Sequence, residues 1–197
     1  VEVFEIIQNR YPDHPEAPKV QEQIMTAFER QRNFEGLAKA RDVLTANFSP
    51  GGAWFETNKD NLDALIYAED LSRRSLYAAA VFYHEQAQAY EDSGDFELAT
   101  ETYRRASEGY SDYLGRYPHD KQLYELTYYL ADTLYYSQAF DEAVTYFERV
   151  RDSGMNDDFV IDSASNAVFA YENGIKVAVM RGDFEEFTIK TSAEREE

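Results

Sequence analysis

The chain has 197 residues, with 38 acids against 19 bases, a net charge of -19 and a pI near 4.5. That field repels phosphate backbones and anionic membrane surfaces, so nucleic acid is excluded as a natural partner. With 44% hydrophobic and 15% aromatic residues the chain can bury a core. The absence of cysteine removes disulfides, thiolate nucleophiles and cysteine zinc sites. No apolar run approaches the roughly 18 residues of a membrane span, and Val1-Glu2-Val3-Phe4 does not open a signal peptide, so no direct membrane insertion is expected. The charge is graded: residues 1–60 carry -3, 61–120 carry -7 and 121–197 carry -9. A protein partner with basic segments would therefore be drawn to the C-terminal half.

In chain order, Phe4, Ile7 and Tyr11 before Pro12 read as the last turns of a helix whose mate lies upstream. Residues 1–12 are thus expected to be part of a unit, in a chain cut from a longer protein. Residues 18–48 form a helix pair about Phe34, with Ile24, Met25 and Phe28 on the inner face of the first helix. Residues 49–76 read as an insertion. It opens with Pro50-Gly51-Gly52-Ala53-Trp54-Phe55 as loop and continues as a helical stretch carrying Leu62, Leu65, Ile66, Ala68 and Leu71. Residues 77–117 and 121–153 form two more pairs, the first ending at Tyr117-Pro118. After Gly154-Met155-Asn156-Asp157-Asp158, whose Asn and Asp suit helix capping, an incomplete unit spans 158–190. Its inner face is expected at Val160, Ile161, Ala164, Ala167, Val168 and Tyr171. The remainder, to Arg181-Gly182-Asp183-Phe184, fits either a long first helix or a second one, and Ser192–Glu197 reads as an acidic end.

Two stretches recur, Gly94-Asp95-Phe96-Glu97-Leu98-Ala99 and Gln138-Ala139-Phe140-Asp141-Glu142-Ala143, each after a tyrosine-rich amphipathic segment. Helix, tight turn, aromatic and helix with an early alanine: this order resembles the tetratricopeptide unit of about 34 residues. With the aromatic at position 17, Ala87 and Ala131 fall at position 8, and Ala99 and Ala143 at 20. Small residues there let antiparallel helices approach, while Tyr103 and Phe147 at 24 fill the space between pairs. Leu37 departs from the expected alanine at 20. The Tyr-Pro closures followed by Asp13-His14-Pro15-Glu16-Ala17-Pro18 or His119-Asp120 are similar to repeats of bacterial envelope proteins. These include outer-membrane lipoproteins of barrel assembly, the periplasmic Tol-Pal coordinator, and large repeat proteins of gliding or predatory bacteria. The Trp54 loop followed by a long helix with Tyr83-His84-x-x-Ala87-Gln88 points to the last group.

The resemblance implies an all-α, tetratricopeptide-like helix-turn-helix solenoid of three to four units with one long insertion. It implies a non-catalytic scaffold binding other proteins in the periplasm or at the outer membrane of a Gram-negative envelope, with no cofactor. The cytoplasm is the alternative compartment, because cytosolic repeats use the same core positions. Two other functions stay open: repeats attached to an envelope hydrolase, and a structural array that self-assembles through its ends.

Candidate chemistry is sparse. His84-Glu85-Gln86-Ala87-Gln88 begins like a zinc-protease helix but has Gln88 where the second imidazole must stand. The Asp152–Asp158 loop has Asp157 where a calcium loop needs glycine. No GxSxG, phosphate loop or GxGxxG is present. Repeats of this kind bind partners on first-helix positions 2, 5, 9 and 12, which places Tyr128, Asp132 and Tyr135 in a groove with His84 and Gln88. Trp54, the only tryptophan, either covers the end of the inserted helix or anchors a partner.

Overall fold

The computed structural model describes residues 1–183, and all regular structure among them is helical. The helices are α1 (Glu2–Arg10), α2 (Ala17–Arg30), α3 (Phe34–Phe48), α4 (Ala53–Thr57), α5 (Leu62–Asp92), α6 (Phe96–Arg116), α7 (Leu123–Tyr136), α8 (Phe140–Arg151) and α9 (Val160–Arg181). They fall into two compact parts, Val1–Phe82 with Gly115–Tyr117, and Tyr83–Leu114 with residues 118–183. The readings made on Phe184 and on Ser192–Glu197 lie outside the described residues.

The first part packs α2 and α3 around Ile24, Met25, Leu37, Ala40, Leu44 and Phe48, closed by Trp54, Ala64, Ala68 and Leu71. The α2–α3 contact explains the irregular Leu37. The small residue is one position earlier: a Cβ on Gly36 would lie 2.6 Å from the Phe28 ring. Leu37 itself is free to enter the core. One expectation for the insertion changes. The segment read as loop contains α4, which turns the Trp54 ring inward against Phe48 at 5.2 Å. Beyond it, no glycine or proline interrupts residues 62–92, and α5 runs unbroken for 31 residues as one long helix that carries Tyr83 and His84.

Insertion side chains also hold the connection between α1 and α2. The Trp54 indole N–H donates to the His14 carbonyl at 2.8 Å, and the Asn58 amide donates to the Asp13 carbonyl at 3.0 Å. Across the same part, Tyr67 donates to Glu22 and Arg74 pairs with both Asp70 and Glu22. Helix α1 has no fully buried residue; its Phe4 and the preceding Val1 pack against this core, and the Gln8 amide donates to the buried Gln21 at 2.6 Å.

In the second part the small and apolar residues of the helix pairs form the buried face. Ala87, Ala99, Ala106, Leu130, Ala131, Ala143, Phe147 and Val150 are all buried. Buried threonines return their hydroxyls to the preceding turn: Thr102 to Leu98, Thr127 to Leu123 and Thr133 to Tyr129. Helix α9 departs from expectation. Ile161, Val168 and Tyr171 are exposed, and the buried line is Ser163, Ala167 and Ala170. It continues to Gly174, where a Cβ would stand 3.3 Å from Phe140. Small residues thus bring this helix close to its neighbour, and the bulky ones are left outside. The ambiguous stretch is one long helix to Arg181, ended by left-handed Gly182. Its first turn is not capped by Asn156, Asp157 or Asp158. Asn156 instead accepts from the Asp158 N–H at 3.0 Å, and Phe159 is the N-cap, with no side-chain bond.

One turn recurs with the same bonds. At Arg32, Gly94, Gln138 and Gly182 the backbone has positive φ. In each case the next N–H reaches back five residues: Asn33 to Phe28, Asp95 to Tyr90, Ala139 to Leu134 and Asp183 to Ala178. This is the Schellman closure. The spacing from Gly94 to Gln138 and from Gln138 to Gly182 is 44 residues each time, and Phe34, Phe96 and Phe140 open the helices after the first three turns. An L side chain at positive φ costs about 1–2 kcal/mol, and a Cβ at Gly94 would meet nothing within 4 Å. Gly94→Ala is therefore expected to lower stability by about 1 kcal/mol and Gln138→Gly to raise it by a similar amount. Denaturant midpoints of the two variants test this, and shifts of the same sign would contradict the turn assignment.

Candidate functional site

The second part brings together four of the residues singled out from sequence, His84 and Gln88 on α5 with Tyr128 and Asp132 on α7. The geometry follows from helical spacing: Tyr128, Asp132 and Tyr135 lie 4 and 3 residues apart, as His84 and Gln88 lie 4 apart. Asp132 stands 3.6 Å from His84 Nε2, and Gln88 Nε2 lies 3.4 Å from the same nitrogen. Around them is a tyrosine cluster that periodicity alone did not assemble. Tyr103 of α6 stacks on Tyr136 of α7 at 4.9 Å, and Tyr103, Tyr110 and Tyr129 meet the His84 ring edge-on at 5.8–6.0 Å.

His84 does not line an open groove. It is 8% exposed, and its Nδ1 lies 3.2 Å from the Tyr110 hydroxyl, so the imidazole fills the core and serves a buried phenol. Asp132, His84 and Tyr110 follow the order of a nucleophile triad. The phenol is only 2% exposed and the carboxylate is beyond hydrogen-bond distance, so this trio cannot act on a substrate. Tyr128 is half-buried, stacked on Phe159 at 4.3 Å and 9°, and meets Phe147 edge-on. Tyr135 accepts a 2.8 Å bond from the Asn173 amide of α9. These two tyrosines are therefore partly committed to packing. Trp54 is wholly so: it is 2% exposed within the core of the first part, which removes it as a surface anchor.

What remains accessible is Gln88 and Tyr136, both exposed, with Glu91, Asp132 and the side of Tyr128 half-buried beside them. Glu91 is the position 12 residue of its helix and so falls among the groove positions of the repeat register. Tyr136 and Phe159 were missed as site residues, though Tyr136 was recognisable from its spacing of 4 to Asp132. Phe159 precedes its helix and gave no periodic signal. Asp162, on the first turn of α9, adds another exposed carboxylate whose field reaches Tyr128. Among the described residues, no three histidine, aspartate or glutamate side chains converge as a metal set.

The carboxylates leave an electrostatic mark. Burial first, then the hydrogen bond to Glu91 at 2.7 Å and the fields of Glu91, Tyr136 and Asp132, raise the Tyr103 phenol far above its ordinary value. Burial followed by Asp132 raises Tyr128 and Tyr136 as well. In the first part, burial and Glu22 push Tyr67 up to about 12. A phenol raised on folding keeps its proton in the native state where the unfolded chain has lost it. Its contribution is complete below the unfolded value near 10 and disappears as pH climbs through the folded value. The melting temperature is expected to hold from neutrality to about pH 9.5 and to fall steeply above it. A melt series in alkaline buffers checks this, with Tyr103→Phe giving the shallower fall. A flat profile to pH 11 would contradict the buried phenol network.

Comparison with protein-family models, with curated proteins and with solved structures yields no match.

Proposed function

We propose that this chain is a non-catalytic protein-interaction scaffold built of tetratricopeptide-like helix pairs, with its binding surface on α5 and α7. The observation that carries the reading is the recurring turn at 44-residue spacing, which presents first helices of the same kind one after another. That period is longer than the 34 residues of the consensus, in keeping with the extended α6 and α9. The surface of Gln88, Glu91, Asp132, Tyr128 and Tyr136 supports the same reading. It joins aromatic area, which binds with little rotamer loss, to half-buried carboxylates that hold no lysine or arginine. The bacterial envelope is the setting we favour, from the resemblance of the Tyr-Pro-closed repeats alone. None of the described helices is long and apolar enough to cross a membrane.

Peptide-display selection against the whole chain tests the surface. Peptides so selected are expected to bind Gln88→Arg about ten-fold more weakly than the parent, with the melt unchanged within about 0.5 kcal/mol, because Gln88 is exposed. Glu97→Arg, on the first turn of α6, should leave binding intact. Failure to select any peptide, or equal binding to Gln88→Arg, would contradict the assignment.

A further inference from the structure

Several exposed carboxylates of this protein hold an arginine or a lysine. Asp70 pairs with Arg73 and Arg74, Glu22 with Arg74, Glu101 and Glu108 with Arg104, and Asp152 with Arg151. Glu91 and Asp132 are half-buried and hold neither. The Asp132 side chain is only 22% exposed, less than most of those paired acids. Glu91 accepts the Tyr103 hydroxyl and Asp132 faces His84, and no lysine or arginine pairs with either among the described residues. The local sequence supplies none: Tyr83–Asp92 and Leu123–Tyr136 contain no basic residue except His84. Lys176, on α9, reaches Asn173 at 3.2 Å. Partial burial of an unpaired carboxylate is costly, and a cation delivered from outside would offset that cost.

The aromatic geometry narrows which cation. Tyr136 is 39% exposed, stacked against Tyr103 and set perpendicular to the Tyr135 ring at 5.2 Å, and a flat group can lie against the part that stays open. A guanidinium is planar, stacks on aromatic rings and presents forked donors to carboxylates, whereas an ammonium is a compact, strongly hydrated point charge. We propose that the α5–α7 surface takes an arginine side chain of a partner protein, stacked on Tyr136 and bonded to Asp132 and Glu91. This rests on the interaction-surface reading above and names the residue that surface recognises. Arginine enters with charge and plane matched, and the acidic field of the second part speeds its approach.

The probe is a short Gly-Ser peptide carrying one arginine, compared with lysine and citrulline versions, titrated into the whole chain and followed through the Tyr136 ring resonances. Arginine is expected to bind about ten-fold more tightly than lysine, and citrulline, planar but uncharged, to show no saturable shift. Asp132→Asn with Glu91→Gln should weaken the arginine peptide about ten-fold. Glu97→Gln with Glu142→Gln, which removes the same charge elsewhere, should change it less than two-fold. The melt of both double variants is measured alongside. Equal weakening by the two double variants would reduce the effect to general attraction and overturn the proposal, as would equal binding of lysine. If display-selected peptides without arginine bind this surface while the arginine probe does not, the proposal fails and the interaction surface stands. If neither binds, both fail.

Discussion

A buried tyrosine fills space like a phenylalanine but must find a partner for its hydroxyl, and the second part of this protein is organised around that requirement. Tyr103, Tyr110, Tyr113 and Tyr124 are all buried. Their hydroxyls meet Glu91, His84, Asp120 and the Phe159 N–H respectively. Each partner comes from a neighbouring helix or from a turn, so each bond also sets where that element lies. Tyr124, for example, takes up the N–H of the residue that opens α9, a helix start with no side-chain cap of its own.

This requirement separates polar residues that serve the fold from those left for a partner. His84 looked like a ligand-facing residue, but Tyr110 and three edge-on rings place it in the core. Trp54 follows the same logic in the first part, where its indole N–H is spent on the His14 carbonyl. Asn58 does likewise with Asp13. Once these are set aside, Asp132 and Glu91 are half-buried carboxylates that keep acceptor capacity beyond their bonds within the fold, beside the exposed Tyr136 and Gln88.

Helix pairs were legible wherever the apolar pattern and the small residues agreed. Ala87 with Ala99 and Ala131 with Ala143 share one spacing, and all four are buried. The pattern failed where burial depends on small residues alone. On α9 the line from Ser163 through Ala167 and Ala170 to Gly174 carries little hydrophobic signal, while Ile161 and Val168 carry much and face outward. The Gly-rich start of the insertion hid α4, because one inward tryptophan makes that short helix worthwhile and has no period to detect. Of the site, the one-helix spacings of α7 and α5 were readable. The meeting of Tyr136 with Tyr103 and of Tyr128 with Phe159 depends on neighbours far apart in the chain, which no local pattern encodes.

The central claim is that polar side chains in the second part are placed by the needs of buried phenols, and the His84–Tyr110 contact is its sharpest instance. A double-mutant cycle with Tyr110→Phe and His84→Leu, read by equilibrium denaturation, measures it directly. The account predicts that either single change destabilises, and that the pair is coupled by about 1 kcal/mol, since each change removes the bond between them. Additive losses with no coupling would show that the imidazole and the phenol are buried independently and would contradict it.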